Sequence, residues 1–559
     1  MTVTAKDAAG NVASFRRDPA EVMRLARMGS AHPTRLSFLR VLLRRMRDEG
    51  WRFDRPVWEM DAKGVGRAVY RAIGPERTYS LVAFAHDLPA DMRSDRVIAT
   101  AWDATFALFD GTPTTADLDR LQANVPLQEA GRIAESELSL SRANRSVRLF
   151  DHIVSRLAEG EQPDAAEIDA VGYLMRTTAV YGSGKFGAAD RSVLAWRPEM
   201  KGPFQAEMLS VWLTRAFTVD LVEHLAAQKG GTKAARLAPD LRRRLGVGNS
   251  TGLGMAPFLI RHPMLLNNWV AAREEALARV RAQESAGAAE VAGLRAALDA
   301  ARANHAHWRS EHPIQIEKLA DLGGDLDRIG DYLENWPGAG ARPWDALWCW
   351  GAETLTLEGQ EALLAMMLEP HGALIDGLAD CMDAEEGTIH RIDGAMSASA
   401  TRAALARHYG WAIDTDYADR SQIARFWYVS EEKLEPRLGE RFEEDGAERE
   451  LPLCTGWLAT DMARALDGWK GEDSLAAFLL AHPEHRFMAR RLQMAMRHPY
   501  AEIRDNLIAS DMLPIDLLRC KLAYFGATHF DPRSDRWVRI ALCQGMPYPD
   551  EMTKEGERA

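Results

Sequence analysis

Helical periodicity is the feature that most constrains the fold of this chain. From about residue 114 onward, apolar residues recur every three or four positions nearly throughout, which is the spacing of amphipathic helices. Between residues 203 and 228, for example, this spacing connects Phe204, Met208, Trp212 and Val219. The pattern predicts successive helices over residues 115–124, 135–159, 164–180 and 203–228.

Residues 64–109 have a different pattern. Three runs rich in β-branched and aromatic residues are separated by turn-forming residues at Gly74-Pro75 and at Leu88-Pro89-Ala90. They predict a small antiparallel sheet of about three strands. The predicted fold class is therefore mainly α, a multi-helix architecture with a small N-terminal antiparallel β-sheet.

The length of the chain predicts several domains. With 559 residues, the chain is too long for one ordinary hydrophobic core and is expected to form roughly three or four domains, or two large ones. Breaks in the pattern divide it into an N-terminal α+β region (1–113), a helical domain with two glycine-rich loops (114–263), a helical hairpin or long helix arm (264–310), a helical region (311–430), and a charged linker with a C-terminal helical region (431–559).

The composition excludes several classes of protein. A net charge of −12 argues against a general nucleic-acid or anionic-membrane binder. The five cysteines are widely spaced without a C-x-x-C pair, which disfavours a zinc site and a disulfide framework and is typical of a reducing compartment. The N-terminal residues lack the apolar core of a secretory signal, and no apolar run approaches the ~20 residues of a membrane span. We expect a soluble cytoplasmic protein with no nucleic-acid or membrane partner.

A glycine-rich stretch at residues 245–268 is the main candidate for a functional site. Glycine is favoured where the backbone turns sharply or approaches a ligand closely. Polar residues before an apolar helical run also leave unpaired N–H groups, which can bind an anion. The residues expected to form this cradle are Gly248, Asn249, Ser250, Thr251, Gly252 and Gly254.

Two known motifs match parts of this region without their structural context. Gly248-Asn249-Ser250-Thr251-Gly252 fits G-x-S-x-G, the nucleophile elbow of α/β-hydrolases, but residues 240–247 do not read as the buried strand that this elbow requires. The glycine spacing also resembles that of short-chain dehydrogenases, and Tyr181-x-x-x-Lys185 resembles their catalytic pair. That pair precedes the glycines here, and no strand–helix–strand alternation is evident. Neither match assigns a family, and the cofactor is unknown.

Positive charge gathers next to both glycine-rich loops, at residues 181–187 and 246–254. Arg176 and Arg191 flank the first loop, which contains Lys185, and a basic segment at residues 229–244 precedes the second. Such charge beside donor-rich turns predicts a pocket for a carboxylate, phosphate or sulfonate. Arg176 and Lys185 would bind the charge, Tyr181 or His262 would transfer protons, and Ser250 is the candidate nucleophile.

The predicted function is an enzyme that acts on a small anionic metabolite, as a lyase, hydrolase or transferase. Alternatively, the glycines only allow close packing, and the protein is a non-enzymatic helical scaffold or regulatory protein that associates through residues 264–309. That segment could also form a homo-oligomer. The arginines at positions 142, 145 and 148 are expected along one side of a helix. No metal site is predicted, because Pro483 separates His482 from His485 and no acidic residue has the usual spacing.

Overall fold

The structure is a computed structural model. It describes residues 12–93, 101–125, 134–178, 194, 196–200, 202–249, 263–308, 310, 313–336, 338–382, 391–415, 427–429, 434–436, 448–449, 451–504, 514–527, 529–531 and 539–555.

Helices are found along the whole described chain. In order they are α1 (Pro19–Val22), α2 (Leu25–Gly29), α3 (Phe38–Asp48), α4 (Thr115–Asn124), α5 (Phe150–Ala158), α6 (Ala165–Asp169), α7 (Gln205–Gly230), α8 (Pro239–Arg244), α9 (Pro263–Arg281), α10 (Ala288–His307), α11 (Pro313–Asn335), α12 (Pro343–Thr354), α13 (Leu357–Leu368), α14 (Gly372–Ile375), α15 (Ala398–Ile413), α16 (Leu451–Asp467), α17 (Leu475–Ala481), α18 (Arg486–Arg497), α19 (Pro514–Phe525) and α20 (Pro549–Glu555).

The strands come from three distant parts of the chain. They are β1 (Arg52–Met60), β2 (Gly66–Ile73), β3 (Thr78–Ala85), β4 (Ala104–Asp110), β5 (Glu137–Arg145), β6 (Tyr173–Thr178), β7 (Gly246–Asn249), β8 (Trp427–Val429), β9 (Leu434–Pro436), β10 (Glu448–Arg449), β11 (His529–Asp531) and β12 (Arg539–Leu542).

Nine of these strands form one mixed sheet in the order β1-β2-β3-β4-β5-β6-β7-β12-β11. Neighbouring strands are antiparallel except for β6 and β7, which are parallel. The predicted fold class is therefore wrong: the fold is mixed α/β, and the sheet extends far beyond three N-terminal strands. A separate small sheet has the order β10-β8-β9.

The three predicted strands correspond to β2, β3 and β4, whereas β1 and the strands after β4 were missed. Strands β5 and β6 were missed because short helical and strand segments adjoin one another. The helix predicted over residues 135–159 is β5 followed by α5, and the one predicted over 164–180 is α6 followed by β6. Gly172 separates α6 from β6 and has a φ of +78°, which side chains other than glycine rarely adopt. The arginines at 142 and 145 lie on β5, so the predicted helical row of arginines does not exist.

The sheet curves around one long helix, α7. Every residue from Gln205 to Val219 is buried. Its Trp212 ring contacts Phe53 on the edge strand β1, with ring centroids 5.0 Å apart, while Arg215 donates to the Leu245 carbonyl oxygen next to β7. Because strands from both ends of the sheet reach the same helix, the sheet forms a half-barrel around it.

Among the residues that the structure describes, buried hydrophobic side chains form three clusters. The largest fills the space between the concave face of the sheet, α7 and the surrounding helices, and it includes Phe106, Phe217 and Trp269. A second covers the opposite face of the sheet, where α4 packs on β2–β5. The third is purely helical and is formed by α15, α16, α17 and α18.

One described segment, Leu357–Met382, is long and apolar enough to cross a membrane by length and composition alone. Its helix α13 contains two buried glutamates, Glu358 and Glu361, and packs in the main hydrophobic cluster. Core helices of soluble proteins often pass the same criterion, so this weak candidate is consistent with a soluble protein.

Candidate active site

The two glycine-rich loops follow neighbouring parallel strands. Strand β6 pairs with β7 through Arg176 opposite Gly248 and Thr177 opposite Asn249. The chain leaves β6 after Thr178 and leaves β7 after Asn249, at the same edge of the sheet. In open α/β sheets, ligands bind at the carboxyl ends of the parallel strands.

Strand β7 also changes the interpretation of the G-x-S-x-G motif that contains Ser250. The sequence prediction was that no buried strand precedes Ser250, and this is wrong: β7 ends at Asn249, directly before the serine, and its Val247 is fully buried. The chain from β6 through α7 to β7 is also a strand–helix–strand unit, which the sequence pattern did not reveal.

The predicted site residues are divided between described and undescribed parts of the chain. Arg176, Gly248 and Asn249 are described, and the strand pairing brings their backbones together. The others lie outside the described residues: Tyr181, Lys185, Ser250, Thr251, Gly252, Gly254 and His262.

Arg176 lies at this edge but on the face of the sheet opposite α7. It pairs with Asn144, and paired residues project from the same face. The next residue, Thr177, pairs with Ala143 on the concave face and donates to the Gly248 carbonyl oxygen at 3.3 Å. The Arg176 side chain is buried, with 4% of its surface exposed.

Two glycines before the second loop have a packing role. A Cβ atom at Gly246 would overlap the backbone of Leu542 in β12, and one at Gly248 would overlap the ring of Tyr173 in β6. The close approach of neighbouring strands therefore requires glycine at both positions, as the alternative interpretation of the glycines predicted in part.

The basic segment before the second loop is largely neutralised by carboxylates. Arg242 pairs with Asp550 at 2.6 Å, and Arg243 pairs with Glu551 at 2.9 Å, so both hold α20. Arg244 pairs with Asp169 in α6, also at 2.6 Å. These three arginines dock neighbouring helices, which leaves less positive charge for an anion than the sequence suggested.

A polar stripe on α7 faces the sheet. Phe217 contacts Phe106 of β4, with ring centroids 5.3 Å apart, which identifies the side of the helix that meets the sheet. Thr214, Ser210 and Glu207 precede Phe217 at intervals of three or four residues, so they lie on the same side. All three are buried, with at most 2% of their surface exposed.

Two serines of β5 project toward the same space. Ser141 pairs with Phe106 and Ser139 with Leu108, so both face α7. Both serines are fully buried. We call the five residues of the helix and the strand the hydroxyl cluster: Ser139, Ser141, Glu207, Ser210 and Thr214.

Several polar atoms in this space lack hydrogen bonds. The hydroxyl oxygens of Ser139, Ser210 and Thr214 have no hydrogen-bond partner among the described residues. Buried polar atoms are nearly always paired with protein or ordered water, because burying them alone costs about 1–3 kcal/mol each. Water or a polar ligand bound between these groups would supply the missing hydrogen bonds.

The hydroxyl cluster lies next to the edge from which both loops leave. Thr178, the last described residue before the first loop, pairs with Arg142, the neighbour of Ser141 on β5. Asn249, the last described residue before the second loop, pairs with Thr177 on the adjacent strand. The cluster and the starting points of the two loops therefore occupy one region of the sheet.

A buried lysine lies near the start of α7. Lys521 on α19 is 1% exposed, and its Nζ has no hydrogen-bond partner among the described residues. It lies 5.4 Å from the ring centroid of Phe525, which in turn contacts Phe204 directly before α7. Burial lowers the pKa of Lys521 well below its usual value, and such lysines can act as bases or nucleophiles.

Sequence reasoning missed the hydroxyl cluster, although a signal was present. Glu207, Ser210 and Thr214 recur at helical spacing inside a segment that is otherwise strongly apolar. A polar stripe within an apolar helix is expected on a solvent-exposed face, and only the sheet around α7 shows that this stripe is buried.

The segment proposed as an association arm is partly a core element. Helix α9 is buried in the main hydrophobic cluster, and α10 contributes Leu294 and Leu298 to it. Across residues 263–308, all of which the structure describes, no large hydrophobic side chain is exposed. The exposed apolar stripe expected of an association arm is not found there.

Comparison with known proteins gives no relationship: no protein-family model, no curated protein and no solved structure matches the chain.

Proposed function

We propose that the protein is a cytoplasmic enzyme that acts on a small anionic metabolite bound at the carboxyl edge of β6 and β7. The observation that carries this proposal is the hydroxyl cluster, in which three buried hydroxyl groups, those of Ser139, Ser210 and Thr214, have no partner among the described residues and lie beside the strands that lead into both glycine-rich loops. A protein that uses this region only for packing would gain stability from apolar residues there.

The residues of the proposed site would have different roles in binding and proton transfer. Lys185 and the backbone N–H groups of residues 246–254 would bind the anionic group. The hydroxyl groups of Ser210 and Thr214 would bind the polar end of the ligand, and Glu207 would exchange a proton with it. Arg176 lies on the face of the sheet opposite α7, so its positive charge would attract the anionic ligand across the edge where β6 ends.

The position of β7 favours Ser250 as a nucleophile. A buried strand that ends directly before a G-x-S-x-G serine is the arrangement in which a nucleophile elbow works. This favours a hydrolase or a transferase, in which the serine would form a covalent intermediate, over a lyase.

The pocket is tested by thermal-shift screening against carboxylates, phosphates and sulfonates. We expect at least one of them to raise the melting temperature of the wild-type protein, because a ligand that binds only the folded state stabilises it. Ser210→Ala and Thr214→Val should each lose most of this shift. Thr218→Val is the matched control, since the Thr218 hydroxyl already donates to the Arg215 carbonyl oxygen one turn along the same helix.

Two results would refute the pocket: no response to any of these anions, or equal responses in Thr214→Val and Thr218→Val. The serine is tested separately by incubation with a fluorophosphonate and mass spectrometry of the intact protein. We expect one covalent adduct in the wild type and none in Ser250→Ala. If the wild-type protein is not labelled but an anion still raises its melting temperature, the pocket is supported and Ser250 is excluded as a nucleophile.

A further inference from the structure

The turn between α17 and α18 brings two histidines and a glutamate together. Helix α17 ends at Ala481, and a single 3₁₀ turn, Pro483–His485, leads directly into α18. Pro483 occupies the first position of this turn, where its fixed φ is favourable. The tight turn folds His482 back toward Glu484 and His485. Pro483, which argued against a metal site in the sequence, therefore promotes this arrangement.

The separations of the three side chains suit a metal ion. His482 Nδ1 lies 3.3 Å from Glu484 Oε1, and His485 Nε2 lies 3.9 Å from the same oxygen. One potential ligand atom from each residue lies within 4.8 Å of the other two. In a tetrahedral zinc site with bonds of about 2.1 Å, ligand atoms are about 3.4 Å apart.

The surroundings of His485 hold its ring in place. The ring stacks on Phe478 of α17, with centroids 5.5 Å apart and planes 10° from parallel. Its side chain is 8% exposed, and Nδ1 has no hydrogen-bond partner among the described residues. A rigid, buried imidazole is a well-organised ligand, because little conformational entropy is lost when it binds a metal.

We propose that His482, Glu484 and His485 bind a divalent transition-metal ion such as Zn²⁺. Two imidazoles and one carboxylate are typical ligands for such an ion, whereas Mg²⁺ and Ca²⁺ prefer oxygen. The side chains of His482 and Glu484 are 36% and 61% exposed, so water completes the coordination. The ion links the end of α17 to the start of α18 and stabilises the helical cluster of α15–α18.

The test is a titration of the untagged full-length protein with Co²⁺, which reports its coordination through visible absorption, and with Zn²⁺ by calorimetry. We expect one site per chain and a higher melting temperature with the metal bound. Glu484→Gln and His482→Asn should each weaken metal binding at least about tenfold. The loss of a residue that only supports a metal ligand already weakens binding by about this factor. Both positions are exposed, so these variants should fold.

The matched control is His498→Asn, which changes another histidine before a proline at the other end of α18. This variant should bind the metal as the wild type does. Absence of Co²⁺ and Zn²⁺ binding up to millimolar concentration overturns the proposal, and so does binding that Glu484→Gln and His482→Asn leave unchanged.

Discussion

Two polar regions inside this protein differ in how their groups are paired. The first is an ion-pair network formed by Arg17, Arg27, Arg273, Glu274 and Glu361, and the second is the hydroxyl cluster. In the network, Arg17 contacts Glu274 and Glu361 at 2.5 Å each, and Arg27 contacts Glu361 at 3.0 Å. Arg273 also pairs with Glu361. In the hydroxyl cluster, three hydroxyl groups have no described partner.

The difference in pairing indicates that the two polar regions have different roles. Burial opposes ionisation of Glu361, but the three arginines around it hold its pKa well below the usual value. The network joins the segment before α1 to α2, α9 and α13, which are far apart in the sequence, so its pairing stabilises their assembly. The hydroxyl cluster has no comparable ion pairing among the described residues, which supports the proposal that it binds a ligand.

The largest effect is expected when the network loses its central charge. Glu361→Gln leaves the three buried arginines with one buried carboxylate, Glu274, and one half-exposed carboxylate, Glu21, and should reduce the free energy of unfolding by about 3–5 kcal/mol. Urea denaturation measures this change. Asp48→Asn, which breaks an exposed pair with Arg47, should change it by less than about 0.5 kcal/mol. Equal effects of Glu361→Gln and Asp48→Asn would show that the buried network stabilises the protein no more than an exposed ion pair does.

A pH titration tests the same buried region through His32. This ring lies 3.6 Å from Glu358, and burial, with Arg519 nearby, lowers its pKa to about 3. In the unfolded chain it titrates near 6.5, so the unfolded state binds more protons between these values. Stability should be fully present above pH 6.5 and fall by up to about 1.4 kcal/mol per pH unit below it.

His32→Gln should flatten this dependence when unfolding is measured in urea at pH 7, 6 and 5. The exposed His307 provides the control variant, His307→Asn, which should keep the wild-type slope. Identical slopes for the wild type and His32→Gln would show that another group carries the dependence.

The hydroxyl cluster should respond in the opposite direction to the network. Thr214→Val removes a buried hydroxyl without a described partner and should raise the free energy of unfolding of the ligand-free protein by about 1 kcal/mol. Thr218→Val breaks an existing hydrogen bond and should lower it by about 1 kcal/mol. Chemical denaturation of the two variants without ligand tests the contrast, and a loss of stability in both would mean that Thr214 is satisfied.

The smallest effect concerns the basic segment before the second loop. Asp550→Asn removes the carboxylate that Arg242 contacts, and because the Asp550 side chain is half exposed the free energy of unfolding should change by less than about 1 kcal/mol. The anion response should remain that of the wild type. A marked gain in anion affinity would show that Asp550 competes with the ligand for Arg242.

Local patterning was sufficient where segments are long and periodic. Apolar spacing predicts the helix that became α7, and the runs of β-branched and aromatic residues over residues 64–109 predict β2, β3 and β4. The acidic net charge and the position of the glycine-rich loops also follow directly from the residues. Each of these features depends on neighbours a few positions apart.

Only the tertiary structure decided how the sheet is completed and where α7 lies. β7, β11 and β12 have three or four residues each, too few to show periodicity, and they become strands because distant segments donate and accept their hydrogen bonds. Burial of Glu207, Ser210 and Thr214 depends likewise on the sheet that surrounds them. Strand pairing and burial are non-local, and for that reason the chain reveals its glycine-rich loops in the sequence but its hydroxyl cluster only in the fold.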